Sequence, residues 1–89
     1  MKGTTSTGFE FNIPNKRFEN LELIDMLGKV DTDPTILGRL LTLLLGEDTK
    51  QAMYDHIRDE DGIVPFSAAE LEITDMFKAY AEQGESEKK

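Results

Sequence analysis

The sequence contains no cysteine and only one histidine, His56. Without thiols the chain has no disulfide framework, no thiolate metal site and no cysteine nucleophile. A metal site at His56 would depend on Asp55, Asp59 and Glu60, and a single helical turn does not supply the geometry of a three-ligand site. We therefore expect His56 to be a structural or surface residue, and we expect neither a metal nor another cofactor.

Long apolar runs and positive charge are also scarce. The longest apolar-rich stretch, residues 36–45, is interrupted by Gly38, Arg39 and Thr42 and is too short to span a bilayer. No segment has the basic start and apolar run of a signal peptide. Eighteen acidic residues against ten basic ones give a net charge of −8, which repels phosphate backbones and anionic lipids. The composition predicts a soluble intracellular protein that binds neither nucleic acid nor a membrane.

Motifs that carry catalysis or ion binding are missing as well. The acidic turn at residues 59–62 superficially resembles a calcium loop. Aligning Gly62 with that loop's invariant glycine places Ile57 and Ala68 where the first and twelfth ligands belong, which excludes an EF-hand. No glycine-rich loop precedes a helix in a phosphate-binding pattern. We therefore expect no catalytic residues and no enzymatic activity.

The length of 89 residues, with 38% hydrophobic and 31% charged residues, predicts one small folded domain. A core this small gives modest stability, to which oligomerisation or a partner would add. The predicted fold is mainly α, with four short helices and one short N-terminal extended strand. We expect a disordered N-terminus over residues 1–7, a helical domain over 8–83 and a solvated tail over 84–89.

The strand is predicted from an alternation of apolar and polar residues. Phe9, Phe11 and Ile13 alternate with polar neighbours, and Pro14 closes the segment. One strand needs a hydrogen-bonding partner. The internal candidate is the extended segment at residues 63–66, and the alternative is the same strand of another copy.

The first two helices are predicted over residues 19–30 and 34–45. In the first, five apolar residues share a buried face while Met26 points away. The second carries an apolar arc of about 200°, which predicts a central helix contacted on two sides, and Gly46 is its expected left-handed stop. The buried face of the first helix consists of Leu21, Leu23, Ile24, Leu27 and Val30, and the arc of the second of Ile36, Leu37, Leu40, Leu41, Leu43, Leu44 and Leu45.

The last two helices are predicted over residues 48–59 and from Ser67 onward. Ser67 and Glu70 have the spacing of a capping box. The fourth helix has a one-sided apolar stripe and an acidic back expected to face water. The stripe consists of Ala69, Ile73, Met76, Phe77 and Tyr80.

Apolar residues at the edges of these faces are candidates for partner binding, because exposed apolar patches on small soluble proteins commonly mark interaction sites. They are Ile36, Leu43, Leu45, Tyr54, Phe66 and Leu71.

Residues 40–65 read LLTLLLGEDTKQAMYDHIRDEDGIVP, preceded by Gly8-Phe9-Glu10-Phe11 and followed by the capped amphipathic helix. Over roughly residues 8–80 this pattern resembles the small tail assembly chaperones of long-tailed phages and prophages of Gram-positive bacteria. The resemblance implies a helical protein of the host cytoplasm that is absent from the mature virion. It also implies binding to the tape-measure protein and help in recruiting tail-tube subunits, with homo-oligomerisation possible.

Two other kinds of function stay open at the level of sequence. The charge would suit an acidic inhibitor that imitates nucleic acid to occupy a host defence protein. A small regulatory or toxin-neutralising subunit is a third function that the chemistry alone does not exclude. A nucleic-acid mimic should lose affinity steeply as salt rises, whereas an apolar groove that binds a helix should show little salt dependence.

Overall fold

The chain folds as a β-hairpin followed by a layer of helices, and the computed structural model describes the backbone of residues 1–87 and the side chains of residues 1–83. Over that range it is mainly α with a short N-terminal sheet in a single small domain, as predicted. There are five α-helices where four were expected, because a separate turn of helix follows Pro14. The elements are β1 (Lys2–Thr4), β2 (Glu10–Asn12), α1 (Asn15–Phe18), α2 (Leu21–Leu27), a 3₁₀ turn (Pro34–Ile36), α3 (Leu37–Leu45), α4 (Glu47–Ile57) and α5 (Phe66–Glu87).

The hairpin corrects two predictions about the N-terminus. Residues 1–7 were expected to be disordered, and the candidates to pair with the predicted strand were residues 63–66 or the same strand of another copy. Instead β1 pairs antiparallel with β2, with Gly3 opposite Phe11. A Cβ at Gly3 would lie 2.7 Å from the Phe11 ring, so the glycine leaves room for that ring. Phe9, Phe11 and Ile13 are all buried, which confirms the alternation that predicted β2.

The α2 helix buries only part of the face predicted for this segment: Leu23 and Val30 are buried as expected, and three other residues are not. Leu23 is fully buried, and Met26, expected to point away, is half-buried against the core. The predicted buried residues Leu21, Ile24 and Leu27 are instead 69%, 45% and 38% exposed. This helix has apolar residues on two faces, and the face with Leu23 and Met26 packs against the core.

The leucine-rich α3 is central, as its arc predicted. It contacts α1, α2 and α4, and Leu40, Leu41 and Leu44 have no exposed surface. Gly46 follows with φ of 81° and ψ of 164°, so its φ is positive as expected but its ψ is extended. The chain turns at this one residue, and α4 begins directly afterwards at Glu47.

The α5 helix confirms the predicted apolar stripe but not its predicted ends. Ala69, Ile73 and Met76 are buried. The helix begins at Phe66, and the carbonyl of Pro65 accepts the Ala69 N–H at 3.2 Å, so the predicted capping box at Ser67 is wrong.

The predicted tail also differs from the structure. The helix continues to Glu87 across residues expected to be a solvated tail, and Lys88 and Lys89 lie outside the described residues. Within residues 1–87, no helix combines the length and the apolarity needed to cross a membrane.

Candidate functional site

An apolar groove of about 270 Å³ opens between α3, α4 and the start of α5, and we call it the Tyr54–Phe66 groove. Tyr54 is half-buried in its wall, and Phe66 is 40% exposed at its edge. The groove is lined by Pro34, Leu37, Gly38, Leu41, Tyr54, Val64, Pro65, Phe66 and Ala69.

The loop that leads to the groove is held by its own side chains. The Asp59 carboxylate accepts the backbone N–H groups of Asp61 and Ile63, both at 2.9 Å. Arg58 donates to the carbonyl of Gly62 at 2.9 Å and to Asp55 at 3.1 Å. These bonds fix the course of the chain into Val64, so this wall of the groove has a defined shape before any partner binds.

A cation lies beside the groove at Tyr54. The Lys50 ammonium is 5.8 Å from the centroid of the Tyr54 ring, donates to the Thr42 hydroxyl at 2.8 Å and is 3.2 Å from a Glu47 carboxylate oxygen. These contacts hold Lys50 against α3 and α4, where its charge lies within cation–π range of the Tyr54 ring.

The structure brings together only part of the predicted partner-binding set. Tyr54 and Phe66 line one groove. Ile36 and Leu43 are half-buried against the core outside it, and Leu71 is 47% exposed on α5. Leu45 is 6% exposed and belongs to the core, so its surface is not offered to a partner.

Sequence reasoning missed an exposed apolar surface, which we call the α2 face and define by Leu21, Ile24 and Leu27. These residues were assigned to the core, yet all three are exposed. Their spacing of three residues was the available signal, because it places them on one side of a helix. The same spacing occurs on buried and on exposed helix faces, so it does not distinguish between them.

A polar cluster joins the hairpin loop to α4 and α5. The Thr7 hydroxyl donates to Glu72 Oε2 at 2.6 Å and lies 3.1 Å from His56 Nε2. Because the Thr7 proton is used for Glu72, the His56 bond requires the imidazole proton on Nε2. His56 is exposed, and the centroid of its ring lies 5.4 Å from the centroid of the Phe9 ring.

This cluster does not reproduce a catalytic triad. In a Ser-His-Asp site the carboxylate orients the imidazole, which in turn accepts the hydroxyl proton. Here Glu72 binds the hydroxyl directly, and the imidazole donates to that hydroxyl. The arrangement fixes the hairpin loop on the helices.

A second contact, from Ser6 to Asp75, holds the same loop. The backbone N–H and the hydroxyl of Ser6 both donate to Asp75 Oδ2, at 2.8 Å and 2.6 Å. These two hydrogen bonds hold the pKa of the Asp75 carboxyl below its ordinary value, helped by the charge of Lys78 and opposed by partial burial. The hairpin loop is therefore docked on an ionised carboxylate at neutral pH.

Metal chemistry finds no ready arrangement in the described part of the chain. Across residues 1–83, whose side chains the structure describes, no three side chains of the His, Cys, Asp and Glu types are grouped so that they could hold a metal ion. The Tyr54–Phe66 groove and the α2 face are exposed apolar surfaces, and such surfaces commonly bind partners.

No protein-family model matches this chain, and no curated protein or solved structure matches it significantly. The resemblance to tail assembly chaperones accordingly rests on the pattern over residues 8–80 alone.

Proposed function

We propose that this protein is a noncatalytic phage tail assembly chaperone that binds the tape-measure protein. It would act in the cytoplasm of the bacterial host and leave before the virion is complete. The observation that carries the proposal is the Tyr54–Phe66 groove. Leu41, Tyr54, Val64 and Pro65 of its lining belong to residues 40–65, the stretch on which the resemblance to these chaperones is based.

The size and lining of the groove suit a helical segment of a partner. A volume of about 270 Å³ accommodates one or two large apolar side chains. Helices recognised in this way insert anchors spaced by three or four residues into an apolar groove. A long helical tape-measure protein would expose such anchors before the tail tube assembles around it, and covering them would keep it from aggregating.

Recruitment of the tail-tube protein belongs to the same proposal. A chaperone that holds the tape measure while tube subunits arrive needs surface outside the groove. The exposed residues of α2 and α5 supply such surface. We also propose that the protein self-associates. The mass of the purified complex measures the number of copies.

The test is co-expression with the tape-measure protein encoded nearby, followed by a pull-down of the complex. We expect the unmodified protein to recover the tape measure and Phe66→Asp to lose it. Leu71→Asp is the matched control, because Leu71 also lies on α5, has similar exposure (47% against 40%) and is outside the groove. Circular dichroism of each variant separates loss of binding from loss of fold.

Two results would refute the proposal. One is a folded protein that recovers no tape measure at any salt concentration. The other is a complex that survives Phe66→Asp as well as it survives Leu71→Asp. A complex with a basic host protein that dissociates steeply with salt would favour the nucleic-acid mimic instead.

A further inference from the structure

We infer that the α2 face is a second docking surface, and that its occupant is a basic amphipathic helix of a partner protein. This inference goes beyond the tape-measure proposal, because it concerns the exposed residues of α2, none of which lines the groove, and does not require the groove to function. It follows from three features: the exposed apolar side chains, a cavity at their end and the charge around them.

The apolar component is contiguous. Leu21, Ile24 and Leu27 are 69%, 45% and 38% exposed and succeed one another at intervals of three residues. On a helix these positions span about 9 Å along one side. An apolar row of this length matches the anchors that an amphipathic helix inserts at successive turns.

A cavity of about 190 Å³ continues the row at its C-terminal end, where α2 approaches α5. The apolar part of its lining comes from Leu27, Val30, Leu37 and Ile73. Asp31 and Glu70 also line this cavity. The space accommodates one large apolar side chain and places carboxylates beside it, so the fitting residue is apolar with a lysine or arginine nearby.

The charge identifies the kind of occupant. Residues 19–33 contain five acids and one lysine, all of them exposed. Among the described side chains, the ion pairs are Lys50–Glu47 and Arg58–Asp55, so Glu22, Asp25 and Asp31 have no basic partner there. A helix with basic residues flanking its apolar row would supply the missing charges as it covers the leucines.

A second copy of the chain fits this surface poorly. In a symmetric dimer the same patch meets itself, so the unpaired acids of one copy would face those of the other. Like charges placed opposite each other at an interface are unfavourable. The complementary partner is therefore a different, basic segment.

The experiment measures binding of the full chain to a fluorescein-labelled synthetic helix, by fluorescence anisotropy. The probe has leucines at positions i, i+3, i+4 and i+7 of each repeat and lysines on both flanks. We expect the unmodified protein to bind it and Ile24→Ser to bind about tenfold more weakly. Leu71→Ser is the matched control, because Leu71 and Ile24 are 47% and 45% exposed, and it should bind like the unmodified protein.

Two altered probes separate the apolar and electrostatic parts of recognition. A probe with glutamate in place of lysine should not bind, and one with serine in place of leucine should bind weakly. Phe66→Ser, which changes the groove, should leave the affinity for the original probe unchanged.

Several outcomes would overturn the inference. Equal weakening by Ile24→Ser and Leu71→Ser would mean nonspecific association, and weakening by Phe66→Ser alone would place the probe in the groove. Full binding of the serine probe would mean a purely electrostatic surface. Sedimentation showing a dimer that Ile24→Ser dissociates would make a second copy the occupant. Because the tape-measure pull-down depends on Phe66, either result can fail without the other.

Discussion

The Glu72 carboxylate is buried with no exposed surface, although it lies on a helix whose acidic side was expected to face water. Its Oε2 accepts the Thr7 hydroxyl, while its Oε1 is buried without a hydrogen-bonding partner. An ionised group in such a position is costly unless it is hydrogen-bonded. We therefore expect the Thr7 hydrogen bond to contribute more to the free energy of unfolding than a typical hydrogen bond. Without it, neither oxygen of the carboxylate would have a donor.

Replacing Thr7 with valine should lower the free energy of unfolding by about 2 kcal/mol, since a hydrogen bond to a charged group is lost while the side-chain shape is kept. Urea denaturation followed by circular dichroism measures this change. Thr4→Val is the control, because Thr4 is an exposed residue of β1 with the same change in chemistry. Equal effects of the two variants would show that the hydroxyl of Thr7 contributes nothing specific.

The Asp75 contact predicts a loss of stability in acid. The folded-state pKa of Asp75 is lowered, first by the Ser6 hydroxyl and then by the Ser6 N–H. The stabilisation is therefore complete above the unfolded pKa of about 3.9 and disappears as pH falls through the lower folded value. We expect the unmodified protein to be more stable than Asp75→Asn at neutral pH, and the difference to shrink below about pH 4.

The measurement is the urea midpoint of both proteins as a function of pH. Ser6→Ala should reduce the same pH dependence, because it removes the hydroxyl that lowers the pKa most. A difference between the proteins that stays constant down to about pH 2 would contradict the assignment to Asp75 ionisation.

Among the elements, α3 could be predicted from sequence and the orientation of α2 could not. The α3 arc is so broad that any packing buries most of it, and Leu40, Leu41 and Leu44 are indeed fully buried. On α2, periodicity places Leu21, Ile24 and Leu27 on one side of the helix, but it does not decide whether that side or the side with Leu23 and Met26 meets the core. That choice depends on how α2 lies against α3, which is a tertiary property.

The β1 strand shows a different limit of sequence reasoning. Lys2, Gly3 and Thr4 include no large apolar residue, so no alternation marks them as a strand. They pair because β2 offers an open edge and because Gly3 accommodates the Phe11 ring. Both causes depend on β2, through its open edge and its Phe11 ring, so residues 1–7 alone do not reveal the pairing.

The candidate groove could be predicted from the sequence only in part. The sequence offers Tyr54 at the edge of a predicted helix and Phe66 in the extended segment before the next helix as separate candidates, and the structure places them in one groove. Val64 and Pro65, which complete its wall, lie in the loop between those helices. The position of that loop is set by Asp59 and Arg58 through contacts that hydrophobic periodicity does not describe.

The backbone at the junction of α3 and α4 predicts that position 46 requires glycine. Gly46 has φ of 81° and ψ of 164°, a conformation essentially restricted to glycine. Gly46→Ala should lower the free energy of unfolding by about 1–3 kcal/mol through backbone strain. Thermal unfolding measures the effect.

Gly28→Ala provides the matched comparison for that variant. Gly28 follows α2 with φ of −68° and ψ of −16°, which alanine adopts freely, and an added Cβ would make only ordinary contacts, 3.6 Å or longer. This variant should be as stable as the unmodified protein or more so, by about 0.4–1 kcal/mol. If Gly46→Ala were equally stable, the junction would have to adopt another backbone conformation in solution.

At the scale of the whole molecule, charge opposes folding and favours a basic partner. Eighteen acidic and ten basic residues give a net charge of −8, and the described ion pairs are two contacts between residues three apart on or next to α4. Self-repulsion of a highly charged chain destabilises its compact state. A basic ligand that neutralises part of this charge should therefore stabilise the fold as well as bind to it.

This balance predicts that salt raises the melting temperature. Between about 20 mM and 300 mM sodium chloride the Debye length shortens from about 20 Å to about 6 Å, so repulsion between separate acidic regions is screened. We expect the melting temperature to rise by a few degrees.

The double variant Glu22→Gln, Asp25→Asn should melt higher at low salt and respond less to added salt, because it removes two of the unpaired charges beside the α2 face. Glu47→Gln is the control: Glu47 is 3.2 Å from Lys50, so neutralising it also removes an attraction and should yield a smaller gain. A melting temperature that falls with salt would mean that attractive pairs outweigh the repulsion, and the electrostatic argument for a basic partner would then lose its foundation.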